Sequence, residues 1–168
     1  MIGNIFFEWV ESYRDYALFI IPAIAFLEAS VGIGLFVSGA ILLSVCTILY
    51  AQGIATLWQI LPLAFLGATM ADHMGYFLGR RLGSGFHQTR FAQKYKSNLT
   101  KAETLLLKHG ELSIIVGRLV PAVRSIVPLL TGVSGLPAAK YMRYDFIACS
   151  IWAAGLGMLV AGFGGLLG

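Results

Sequence analysis

Apolar residues run through this chain in long stretches, and the few charged ones are bunched. No Asp, Glu, Lys or Arg occurs from Ala29 to Ala71, nor again from Phe146 to Gly168. Each run exceeds the ~20 residues that a helix needs to cross hydrocarbon. The first apolar region is nevertheless interrupted. Tyr16 to Leu27 reaches Glu28 after roughly 18 Å of helix, too little to span. Ala29-Ser30-Val31-Gly32-Ile33-Gly34 and Ser38-Gly39 follow, and Ala40 to Tyr50 is apolar again. Two half-length helices around a glycine-containing break predict a re-entrant hairpin. One straight helix starting near Val31 is the competing arrangement. It would leave Glu28 at the interface.

Beyond a short loop over 52–59, with Trp58 as an interface anchor, Leu61 to Arg81 is long enough to span. Its polar residues Asp72, His73, Tyr76 and Arg80 gather toward one end, and Gly75, Gly79 and Gly83 recur every four residues. That spacing offers a small-residue face for close helix packing. Residues 83–110 are the polar part. Arg90, Lys94, Lys96, Lys101 and Lys108 face Glu103 alone, interleaved with Phe86, Phe91, Tyr95, Leu99, Leu105 and Leu106. This predicts amphipathic helices on an anionic leaflet. Thr100-Lys101-Ala102-Glu103 reads as a capping box starting a helix that His109-Gly110 ends. Residues 1–15 predict another interfacial helix, with Ile5, Phe6, Trp9 and Tyr13 on one face. From Glu111 to Gly135 an apolar stretch is broken at Pro121, which predicts two half-helices. Pro137, Lys140 and Arg143 are then expected on the cytoplasmic side, Tyr141 and Tyr144 mark the interface, and Phe146 to Leu167 spans outward.

The two halves therefore repeat one order, a broken hairpin and then a full span. The fold class expected is all-α integral membrane, with two inverted-topology repeats (16–81 and 111–168) around an amphipathic cytoplasmic segment (83–110). The 168 residues form one membrane domain. They are 58% hydrophobic and 12% charged, about half the charged share of ordinary soluble domains. The net charge of +4 sits in the 83–110 region, so the positive-inside rule accounts for it without nucleic acid. Glu8, Glu11 and Asp15 argue against a cleavable leader. Cys46 and Cys149 lack any metal or redox spacing and read as small buried hydrophobes.

The chemistry centres on Arg118 and Arg124, permanent cations inside the broken apolar stretch. Ionisable residues at membrane depth are costly and mark function. Their planar, multi-donor heads suit phosphate or carboxylate. A half-helix starting after Pro121 would add backbone N–H groups, and Ser125 a hydroxyl, to one anion site. The structural alternative is that both arginines pair with Glu28 and Asp72 and lock the hairpins. Those two acids are the proton-coupling candidates, although Asp72, Tyr76 and Arg80 at i, i+4 and i+8 also suit a structural helix end. Asp145 is expected to cap the interface beside Tyr141 and Tyr144. His73 is expected to point toward headgroups, and His87 and His109 carry no ligand spacing. No hydrolase motif, metal site or cofactor signature is present, so no enzymatic activity is expected.

At these residues the chain resembles the DedA family, the bacterial branch of a superfamily that includes lipid scramblases. Residues 25–155 carry the likeness. Gly117-Arg118-Leu119-Val120-Pro121-Ala122-Val123-Arg124, with His109-Gly110 before it and Pro128, Gly132, Pro137 and Trp152 after it, is similar to the family's G-R-F-x-P-x-x-R block. Gly67, Asp72, Tyr76, Gly79, Arg80 and Gly83 are similar to its G-D-x-x-x-Y-x-x-G-R pattern, with Ala71 where glycine is usual. Glu28 matches its acid at the end of the first half-helix. Ser38-Gly39-Ala40 departs from the usual Pro-Gly and lacks a second acid, which leaves Glu28 as the single coupling group in that hairpin. Gly39, Gly67, Tyr76, Gly79, Arg80, Gly117, Pro128, Gly132 and Trp152 are the structural positions that the resemblance implies.

What the resemblance implies is a multi-pass protein of the bacterial cytoplasmic membrane. It would move undecaprenyl phosphate or another phospholipid, driven by protons, with the lipid and protons as its partners; self-association stays open. Two alternatives remain, a proton-coupled transporter of a small ion and a structural membrane factor without transport.

Overall fold

The computed structural model describes residues 14–35, 38–120 and 123–167. Every described element is helical. Helix α1 covers Arg14–Ala29, α2 Gly39–Ala51, α3 Leu57–Leu82, α4 Arg90–Lys94 and α5 Lys96–His109. Helix α6 covers Ser113–Leu119, α7 Val127–Val133 and α8 Ala138–Leu167. Short 3-10 turns occupy Ile33–Leu35, Gly83–Gln88 and Gly110–Leu112. The expected interfacial helix at 1–15 lies almost wholly outside the described residues.

The first apolar region is broken, as its small residues predict. At the end of α1 the Ser30 hydroxyl donates to the Phe26 carbonyl at 2.7 Å. Gly32 then takes φ 85, a left-handed turn that residues with a side chain rarely adopt. The chain restarts at Gly39, where the Ser38 hydroxyl accepts from the Ala40 N–H at 3.3 Å. A straight rod from Val31 is not what forms. The second break also stands: α6 stops at Leu119 and α7 starts at Val127. Pro121 itself lies outside the described residues.

Two boundaries differ from the sequence reading. Helix α5 begins at Lys96, and the Thr100 hydroxyl donates back to the Lys96 carbonyl at 2.9 Å instead of capping. Helix α8 begins at Ala138, not Phe146. There the Pro137 carbonyl accepts from the Lys140 and Tyr141 N–H groups, each at 3.0 Å, so the charged stretch becomes the first turns of the helix. The 83–110 segment packs inward in part. Phe86, Ala92, Leu99 and Ala102 are buried against Val123, Ile126, Val127, Leu129 and Leu130. Part of its apolar face thus covers the broken segment.

Helix α3 is the central element. Pro22 of α1 presses its backbone against Gly67, and Leu129 of α7 presses its own against Gly79. Gly132 meets the Tyr76 carbonyl in return. A Cβ at any of the three would collide with main chain, which cannot step aside. Gly75 shares this face, but Gly83, with φ 52 and open space around it, only terminates α3. A lipid-facing helix gains little from burying apolar side chains, so backbone proximity has to supply the packing. Among the described residues, 138–165 is the one helix both long and apolar enough to cross a membrane. The apolar helices Leu18–Ala29 and Gly39–Ala51 are shorter than a crossing requires.

Candidate functional site

The two breaks bring charged groups from distant parts of the chain to one place. Arg124 lies in the turn preceding α7 and pairs with the carboxylate of Glu28, the penultimate residue of α1. Its Nη2 also donates to the Glu28 carbonyl at 3.1 Å. Glu28 is only 2% exposed. Gly39 makes room for it, since a Cβ there would stand 2.8 Å from Glu28 Oε1. A small side chain at the start of α2 therefore sets the acid's position.

Arg118, on the last turn of α6, pairs with Asp72 of α3. It has a second acid nearby, Asp145 of α8, with Nη1 3.9 Å from Oδ1. Its guanidinium carbon lies 5.4 Å from the centre of the Trp152 ring, a cation–π arrangement. The sulfur of Cys149 is 3.8 Å from a carboxylate oxygen of each acid. Asp72, Asp145 and Cys149 place three donor atoms within 4.8 Å of one another, and the Arg118 guanidinium is the cation that meets them. His73 completes the group, its Nε2 3.4 Å from Asp145 Oδ2.

Both arginines and both expected acids line one cavity, with Ala25, Ala29, Ala68 and Trp152. Its volume is about 10 Å³, room for a single water at most. The site as it stands is closed, with each guanidinium engaged by a carboxylate. Even so, Glu28 Oε2, Asp72 Oδ1 and Arg118 Nε have no hydrogen-bond partner, so these three charged groups keep unused bonding capacity.

The remaining predicted residues fall into two groups. Tyr76 donates to the Leu136 carbonyl at 2.5 Å and accepts from Arg80 at 2.8 Å. It also stacks on Tyr141 with 4.3 Å between ring centres. The two residues thus anchor the end of α3, as the structural alternative for them holds, while Asp72 turns to Arg118 instead. Gly117 abuts Val127 and Pro128 sits in the first turn of α7, which draws the two halves of the broken segment together. Ser125 does not join the cavity; it is buried beside Gly34, with its hydroxyl unbonded. Most of the described N–H groups of this turn are engaged. Those of Val123, Arg124, Ile126 and Val127 already bond to the carbonyls of Val120 and Val123.

Asp145, His73 and Cys149 depart from the sequence reading. Asp145 is 1% exposed and belongs to the Arg118 cluster, not to an interface cap. His73 turns its Nε2 toward Asp145, not toward headgroups. Cys149 is buried, but among carboxylates. The missed clue was the spacing of Asp145, Cys149 and Trp152 at i, i+4 and i+7, one face of a helix. It became invisible once the helix was begun at Phe146.

A buried arginine–acid site between two interrupted helical segments defines a polar centre inside an apolar helical membrane protein. Residues 31–162 match the VTT domain model, and the chain belongs to that family, of which the DedA proteins are part. It is 32% identical over 145 residues to "Inner membrane protein YabI" of Escherichia coli (strain K12), covering 86% of this chain and 57% of that protein. Against "Inner membrane protein YqjA" of the same strain it is 28% identical over 157 residues, with coverage of 86% and 70%. "Uncharacterized membrane protein ML0287" of Mycobacterium leprae is 28% identical over 159 residues, with coverage of 92% and 70%. The chain therefore spans little more than half the length of YabI. No solved structure matches it.

Proposed function

We propose that this protein translocates a lipid phosphate, undecaprenyl phosphate or another phospholipid, across the bacterial inner membrane with protons coupled to the movement. One observation carries the reading: Arg118 and Arg124, from one broken segment, converge with Glu28 and Asp72 on a single enclosed cavity. A phosphate and a carboxylate compete for the same guanidinium donors. Protonating Glu28 or Asp72 removes the competitor and frees an arginine for the phosphate, while the lipid tail stays in hydrocarbon. Binding of the anion and loss of the carboxylate charge then become one linked event. The two broken segments, α1–α2 and α6–α7, each followed by a long helix, support an inverted repeat of re-entrant hairpins. The names of YabI and YqjA support the inner membrane as the location. Nothing in this scheme makes or breaks a covalent bond.

The test is flux of a labelled phospholipid or polyprenyl phosphate in reconstituted vesicles. Arg118→Ala and Arg124→Ala are each expected to slow it about tenfold or more, since a charge-assisted hydrogen bond is worth roughly 1.5–3 kcal/mol. Undiminished flux in both variants removes the lipid reading. The one-water size of the cavity favours a second reading, a proton-coupled transporter of a small ion. Proton flux that depends on both arginines, with no lipid movement in the wild type, would select it.

A further inference from the structure

The Arg118 cluster contains one more acid than permanent cations. Asp72 and Asp145 are each 1% exposed, and Arg118 is the one guanidinium between them. If both acids are ionised and His73 is neutral, the cluster carries a buried net charge of about −1, a state that costs several kcal/mol. One further positive charge balances it, and among the described residues His73 is the one placed to supply it. Its side chain is 31% exposed while its Nε2 atom is buried and faces Asp145. Seven residues along α3, roughly 10 Å of helix, lies Arg80 at the basic end. The other groups around the imidazole are Tyr141, with ring centres 6.0 Å apart, Asp72 beside it on α3, and Arg118 and Cys149 across the cluster.

We propose that His73 and Asp145 form a proton-loading site that sets how tightly Arg118 is held. With the proton on His73, Asp145 pairs with the imidazolium and Arg118 answers to Asp72 alone. With the proton gone, both carboxylates draw on Arg118 and clamp it. Loading therefore makes the guanidinium available to an incoming anion. The consequence for transport rests on the reading of Arg118 as a phosphate ligand, whereas the protonation switch itself does not.

Trp152, stacked on Arg118, is a built-in reporter. In a Trp9→Phe, Trp58→Phe background, its emission in micelles is expected to change when the pH is swept from acid to alkaline, as the cluster gains or loses the proton on His73. The change is expected to disappear in His73→Gln and in Asp145→Asn, to return in Asp145→Glu, and to persist in His87→Gln and His109→Gln. Melting curves establish that each variant is folded, and where Asp145→Asn is not, folded His73→Gln carries the test. Emission that stays flat in the wild type, or a transition that survives in folded His73→Gln, overturns the proposal. Vesicles without lipid flux but with a His73-dependent transition would sink the lipid reading and leave the switch standing.

Discussion

The two arginines stand six residues apart in one segment, yet they sit in different electrostatic settings. Arg124 meets one acid, Glu28, and the count of charges closes. Arg118 meets Asp72 directly, Asp145 at 3.9 Å, and through Asp145 the imidazole of His73. The first centre is a balanced latch between the end of α1 and the turn before α7. The second can hold more than one charge state. Identity of residue type says nothing about this difference; the number of buried acids around each guanidinium decides it.

The largest effect should come from removing the cations singly. Arg118→Ala strands two buried acids and Arg124→Ala one, so losses of about 5 and about 3 kcal/mol are expected, the range for breaking buried pairs. Denaturant unfolding in micelles measures them, and equal losses would erase the contrast. Neutralising both members of a pair sharpens it. Glu28→Gln with Arg124→Gln should cost only about 1 kcal/mol, because no charge is left unmatched. Arg118→Gln with Asp72→Asn should cost about 3 kcal/mol, because Asp145 keeps its charge and loses its arginine.

Smaller effects separate the halves further. Trp152→Leu should remove a cation–π contact of about 1 kcal/mol. A double-mutant cycle should find that coupling with Arg118 and not with Arg124. Gly39→Ala would set a methyl 2.8 Å from Glu28 Oε1. The acid's tip is flexible, so stability should fall by less than about 1 kcal/mol while the Glu28–Arg124 contact shifts. Lipid flux clearly reduced with only a small drop in melting temperature is the expected result. The smallest effect belongs to Glu111 and Lys140, 2.8 Å apart at the surface. The hydrogen bond from Lys140 holds the Glu111 carboxyl below its ordinary range. Its contribution is therefore present at neutral pH and fades as pH falls through that lowered value. Glu111→Gln should move the melting temperature least of all these variants, and not at all once Glu111 is protonated.

Much of this architecture was legible before any coordinates. Gly32 and the Ser38-Gly39 step mark the first break because their backbone and capping needs are local. Gly75 and Gly79 mark the crossing with α7 because a four-residue period puts them on one helix face. The capping signal at Thr100 misled, since the helix begins one turn earlier and the threonine bonds backward within it. The start of α8 misled more seriously. Charged residues at its N-terminus resembled an interface stretch, and treating them so hid Asp145 from the face that carries Cys149 and Trp152.

An apolar, helical chain, the places where its helices are interrupted, and two arginines at the second interruption can all be read from the residues in order. These follow from hydropathy, periodicity and turn chemistry, which act over a few residues. Which acid meets which arginine emerges only once the helices pack. Glu28 and Arg124 are 96 positions apart, and Asp72 and Cys149 are 77 apart. Contacts of that span depend on how closely whole helices approach. Here that is set by main chain against glycine, at Gly67, Gly79 and Gly132, and it places two acids beside one arginine and one beside the other.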